Sequence, residues 1–143
     1  MIMKILSTIL LTLLIVLGAC TSPQVSPDPF VRVSNGRLTV NGKPYYYIGT
    51  NFWYGAILGS QGQGGNRERL LRELDYLKAL GINNLRVLVG ADGKDGIPTK
   101  AEPALQVEAG VYNDTIFDGL DFFLSELDKR CLLYTSPSPR DCS

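Results

Sequence analysis

The sequence contains no histidine, and its 14 Lys and Arg balance its 14 Asp and Glu to a formal net charge of zero. The first absence removes the side chain that most often serves as an acid or base near neutral pH and as a metal ligand. The second removes the basic surface a polyanion needs, so no nucleic acid partner is expected. Cysteine is scarce, and Cys20, Cys131 and Cys142 fall in no metal-ligand spacing, so no metal site is expected. No cofactor is called for. Any chemistry has to rest on carboxylates, amides or hydroxyls.

What is present begins with an address. Lys4 supplies a positive start, Ile5 to Leu17 is an apolar run too short for a comfortable membrane span, and the small residues Gly18 and Ala19 precede Cys20. Leu17-Gly18-Ala19-Cys20 resembles a bacterial lipobox, which implies cleavage before Cys20 and a lipid on its thiol. Residues 1–19 are then a lipoprotein signal peptide, and residues 20–29 the lipidated cysteine with a flexible linker. In that linker, "TSPQVSPDP" has too little apolar surface to fold. The expected location is the bacterial cell envelope, anchored to the membrane through Cys20, or secreted. Acyl chains bury CH₂ groups at about 0.8 kcal/mol each. The alternative is an ordinary secretory signal with an incidental cysteine.

Ordered structure is expected from Phe30. Asn35-Gly36 and Asn41-Gly42 are flanked by β-rich runs, which predicts a small antiparallel hairpin of Phe30 to Val33 with Arg37 to Val40. After Pro44, "YYYIGT" (Tyr45 to Thr50) reads as an apolar strand buried on both faces. Asn66 can cap a helix whose Leu70, Leu71, Leu74 and Leu77 share a face and which Gly81 ends. "INNLRVLVG" (Ile82 to Gly90) is a second strand. A long loop leads to Asn113, which caps a second helix with Ile116, Phe117, Leu120, Phe123, Leu124 and Leu127 at helical spacing. Alternating strands and helices joined by short turns predict an α/β fold with a parallel sheet.

The run Gly59 to Gly65 lies where a dinucleotide loop would, but Arg67 replaces the third glycine and no Gly-Lys-Ser/Thr follows. It reads as a flexible rim loop. In a barrel of βα units the C-terminal strand ends carry the site, so Asn51, Trp53, Tyr54 and Arg86 are the residues expected in one shared cleft. Rings and amides suit sugars, whose C–H patches pack on aromatic faces while their hydroxyls need oriented partners. Core packing under the rim is the competing role for Asn51, Trp53 and Tyr54. Asp92, Asp95, Glu102 and Glu108 read as solvated loop charges.

"YYYIGTNFWYG", "LKALGINNLRVLVGADG" and "VYNDTIFDGLDFFLSELDKR" together resemble the opening of a β-mannanase of glycoside hydrolase family 5, over roughly Phe30 to Arg130. The resemblance implies the N-terminal portion of a (β/α)₈ TIM barrel, about two βα units preceded by the hairpin. It also implies retaining hydrolysis of β-1,4-linked mannan by the full-length enzyme. Arg86 matches the family's second-strand arginine, which orients the nucleophilic glutamate through charge-assisted bonds; closing a barrel salt bridge is the alternative. Asn51, Trp53 and Tyr54 match positions lining the glycone side, and β-mannan is the implied partner. The family's two catalytic glutamates stand on its fourth and seventh strands, and this chain is expected to stop before its third, so the fragment should be inactive. "CLLYTSPSPRDCS" (residues 131–143) resembles adapter or vector read-through more than a barrel strand. Another family 5 β-glycanase of cellulase type, a non-catalytic sugar-binding surface lipoprotein and an open flavodoxin-like domain are the other readings.

If the lipobox functions, a fatty-acid analogue fed to expressing bacteria labels the protein and Cys20→Ala removes the label. Label that survives the substitution rejects the assignment.

Overall fold

The computed structural model describes residues 30–98 and 101–136. The signal segment, the linker and Cys20 lie outside the described residues. Contacts divide the chain into two units, one ending at Tyr45 and one beginning at Tyr46.

In the first unit β1 (Arg32–Ser34) pairs antiparallel with β2 (Arg37–Val40), and β2 with β3 (Lys43–Pro44). Both Asn-Gly pairs make the turns: Asn35, Gly36, Asn41 and Gly42 all have φ between 50° and 73°. That matches type I′ geometry, which asparagine and glycine tolerate. The expected two-stranded hairpin is thus a three-stranded meander. Pro44 pairs at its edge, where a missing N–H costs little.

The second unit places β4 (Gly49–Phe52), β5 (Asn84–Val87) and β8 (Leu133–Thr135) in one parallel sheet, in the order β4-β5-β8. Helices α1 (Gly55–Gly59), α2 (Arg67–Ala79) and α3 (Asp114–Lys129) form the connections, with an antiparallel pair β6 (Gln106–Glu108) and β7 (Val111–Tyr112) before α3. Both expected caps are in place. The Asn66 side chain accepts from Arg69 N, and that of Asn113 from Thr115 N and Ile116 N. The helices bury Leu70, Leu74, Ile116, Leu120, Phe123 and Leu127 against Phe52, Leu85 and Val87.

Three expectations are corrected. Tyr45 to Thr50 is not a strand buried on both faces: pairing starts at Gly49, and Tyr46, Tyr47 and Ile48 are exposed. The cause is Asn83, whose amide donates to Tyr46 O at 2.9 Å and accepts from Ile48 N at 3.0 Å, taking backbone groups that a longer ladder would use. The run Gly59 to Gly65 is a rim loop only from Gln61 onward, where the residues are exposed and Gly64 borders a surface cleft. It starts at the end of a buried helix, Ser60 is buried, and Asn66 N donates back to Leu58 O.

Nor does the chain stop before its third strand, because Leu133–Thr135 pairs in register with Asn84–Arg86. The helix ends explain how. After α2, Gly81 takes φ +82 while Ile82 N donates to Leu77 O; after α3, Cys131 takes φ +51 while Leu132 N donates to Leu127 O. These are the same left-handed helix ending, with a cysteine where the first copy has glycine, at a cost of roughly 1–2 kcal/mol.

Helices α1 and α3 touch through glycine. A Cβ on Gly119 would lie 2.2 Å from Ala56 O and 2.5 Å from Ser60 N, and one on Gly59 2.2 Å from Gly119 O. Helix propensity alone would make Gly119→Ala stabilising by up to about 1 kcal/mol. Forcing a methyl into backbone costs up to about 3 kcal/mol, so the contact sets the sign. Urea unfolding should show Gly119→Ala destabilised by about 2 kcal/mol. An unchanged or higher midpoint would contradict the packing.

Candidate functional site

Strand alternation sorts the candidates. Phe52, Leu85 and Val87 point toward the helices and are buried, so Asn51 and Arg86, one residue out of phase, share the opposite face. The register sets Asn51 beside Arg86 and Arg86 beside Thr135, a row at the C-terminal ends of the three strands. Asn51, Arg86 and Thr135 are all exposed. The Arg86 side chain forms no hydrogen bond or ion pair among the described residues, so the salt-bridge role has no partner there. None of the three strands carries a carboxylate.

Trp53 and Tyr54 follow β4 and are built differently. The Tyr54 ring lies 4.5 Å from that of Phe52, its hydroxyl donates to Glu73 Oε2 on α2 at 2.6 Å, and the Arg69 guanidinium stands 5.7 Å from its centroid. Glu73 Oε1 accepts from Arg69 Nε at 2.6 Å. Tyr54 is therefore tied to the helical layer, and it lines a cleft with Asn51 but not with Arg86. Trp53 meets the Tyr54 ring edge-on at 5.2 Å and 81°, and stays half exposed. It opens on a cleft of about 300 Å³ with Tyr54, Ile57, Leu58, Arg69 and Glu102 in its lining. A second cleft of about 260 Å³ runs from Asn51 past Tyr54 to Glu73 and Tyr76.

Burial, then the hydrogen bond to Glu73 and its negative charge, push the Tyr54 phenol up to about 12, against a smaller opposing pull from Arg69. Burial by itself would raise Glu73. The hydrogen bonds from Tyr54 and Arg69, with the charges of Arg69 and Arg72, outweigh it and hold Glu73 below the ordinary carboxylate value.

The loop acids Asp92, Asp95, Glu102 and Glu108 are exposed, as read, and two of them also hold backbone. Asp95 Oδ1 accepts from Ala104 N at 2.8 Å, and Glu102 accepts from Gly96 N. The backbone of Asp92, and not its carboxylate, makes a parallel bridge with Gln106 at the start of β6. Glu73 and Arg69 were missed as site neighbours: their i,i+4 spacing was visible in the sequence, but the approach of that helix to Tyr54 was not.

Residues 28–134 match the family described as "GH family 5 beta-mannosidase-like". The chain belongs to this family. Among curated relatives it is 31% identical over 118 residues to putative mannan endo-1,4-beta-mannosidase 9 of Oryza sativa, covering 82% of this chain and 27% of that protein. It is 32% identical over 101 residues to mannan endo-1,4-beta-mannosidase 5 of Solanum lycopersicum, covering 70% and 22%. The structure is similar to the glycoside hydrolase family 5 mannosidase from Rhizomucor miehei, at TM-score 0.73 and 33% identity over 76% of this chain and 27% of that one. The chain thus spans about a quarter of the length of the proteins it matches. Its parallel sheet and helices are the N-terminal part of the TIM barrel of these glycosidases, with the barrel not closed.

Tyr54 generates a pH prediction. A phenol raised above its unfolded value of about 10 stabilises the fold fully below that pH, and the contribution disappears as pH rises toward the folded value. The difference in tyrosinate absorbance between the chain and its Tyr54→Phe variant should show one phenol ionising near 12. The chain should also lose more stability than the variant between about pH 10 and 12. A difference midpoint near 10 would contradict the half-buried bond to Glu73.

Proposed function

We propose that this chain is the N-terminal portion of a retaining glycosidase that hydrolyses β-1,4-linked mannan, carried on a bacterial lipoprotein anchored through Cys20. The carrying observation is the Asn51–Arg86 row: a guanidinium with no ion partner among the described residues, beside an amide, on the face away from the helices at the strand ends. A guanidinium there fits a carboxylate supplied from beyond these three strands. Its fixed fork would keep that carboxylate ionised and aimed at the anomeric carbon. Retaining cleavage needs two carboxyl groups roughly 5–5.5 Å apart, one as nucleophile and one as acid then base. The three strands carry neither. In this reading the chain supplies the orienting arginine, the Asn51 amide and the Trp53 platform, and does not itself turn over mannan.

Mannan is favoured over cellulose by the relatives, each named for mannan endo-1,4-beta-mannosidase activity. One solved relative, 33% identical, is described in complex with mannosyl-fructose. Beside the enzyme stands a sugar-capturing surface lipoprotein, which the exposed Trp53 and Asn51 would also suit.

The 143-residue chain should release no reducing sugar from mannan. A protein extended to the length of the relatives should do so, and in it Arg86→Ala should lower kcat about ten- to a hundredfold, the value of one charge-assisted contact of roughly 1.5–3 kcal/mol. KM should change little, because Arg86 would hold the nucleophile and hardly touch the sugar. Mannan binding without turnover in the extended protein would favour the sugar-capturing alternative.

A further inference from the structure

Trp53 is the one tryptophan of the chain and is 53% exposed. An exposed indole turns between rotamers unless something stops it, and here the stop is Tyr54, met edge-on at 5.2 Å. Tyr54 is fixed on several sides. Its ring packs, tilted by 36°, against Phe52, which is buried and stacks at 5.4 Å on Phe123, and its hydroxyl ends on Glu73. Both oxygens of that carboxylate are used, Oε2 by Tyr54 and Oε1 by Arg69, so the carboxylate plane is fixed as well.

We propose that Glu73 and Arg69, one turn apart on α2, are positioning residues that set the indole plane of Trp53 through Tyr54, so that the platform meets a β-mannan chain already oriented. The proposal rests on the reading of Trp53 as a sugar platform. Its physical content is preorganisation: a ring held before binding loses less rotamer freedom on binding. Loss of the tyrosine–glutamate bond should weaken binding of a mannan oligosaccharide about two- to tenfold while leaving any chemical step untouched.

Because Trp53 is the one indole, its circular dichroism at the red edge of the near-ultraviolet, beyond tyrosine absorption, and its fluorescence anisotropy in the 143-residue chain report how firmly it is held. Tyr54→Phe and Glu73→Ala should lower both signals with the far-ultraviolet spectrum unchanged. Glu73→Gln keeps an acceptor for the phenol and should retain most of each signal. Arg69→Met, a change at an exposed helix position, should give an intermediate loss, and it decides the matter if Tyr54→Phe fails to fold. Indole signals unchanged in a folded Tyr54→Phe, or in Arg69→Met where that is the deciding variant, overturn the proposal. Mannopentaose separates the two readings. Quenching of Trp53 emission in the unmodified chain, weakened about two- to tenfold in affinity by Tyr54→Phe, supports both. Absence of quenching, with indole signals that still respond to Tyr54→Phe, rejects the sugar platform and leaves the positioning geometry standing.

Discussion

Helices α1 and α3 meet backbone to backbone, with no side chain between Gly59 and Gly119, and the geometry of the strand-end residues depends on that approach. Because the helices come this close, Phe123 can sit where a Cβ on Gly55 would be, 2.3 Å from its ring, and stack on Phe52 at the end of β4. Phe52 in turn carries Tyr54, and Tyr54 carries Trp53. Arg67 reinforces the approach. Its Nε donates to Gly59 O at 2.6 Å, it pairs with Asp118 on α3, and it lies 4.1 Å over the Phe122 ring. The residue that spoils a dinucleotide fingerprint therefore ties three helices together.

A second clamp acts at the other ends of the long helices. Arg130 pairs with Asp75 on α2 and with the buried Glu126 on α3, while Lys129 also bonds Glu126. The bond from Lys129, and after it that from Arg130, overcome the cost of burial and hold the Glu126 carboxyl below its ordinary range. A lowered folded value means that its contribution is complete above the ordinary carboxylate pKa and is lost as pH falls through the folded one. The clamp is an acid-sensitive joint that is at full strength near neutrality.

Most of the fold was legible because its signals were local. Asn66 and Asn113 cap the helices as their spacing implied, and both Asn-Gly pairs turn as that dipeptide does. The misreadings needed tertiary information. Nothing local says that the Asn83 amide will take the backbone of Tyr46 and Ile48, and a glycine-rich stretch looks the same whether it flexes or lets two helices touch. The site was half legible. The strand register sets Asn51 beside Arg86, but Trp53 and Tyr54 lie past the strand, where the turn into α1 ends the two-residue period and Glu73, nineteen residues on, claims the phenol.

The third strand separates two kinds of signal. Cys131 in a left-handed conformation and the serine-proline composition after Thr135 both argue against a barrel strand, and composition was the louder of the two. Yet the strand begins before that composition does. Leu132 is buried, Leu133 N donates to Asn83 O, and Leu133 to Thr135 pair with β5 in the register β5 keeps with β4. What decides is the helix end: once Leu132 N reaches Leu127 O, the next residues are aimed at the edge of β5, and three residues with side chains compatible with a sheet suffice to pair. The same closing geometry after α2 aims β5 at β4, so each βα unit inherits its register from the helix that precedes it, and one cysteine in place of glycine lowers the stability of that ending without redirecting the chain.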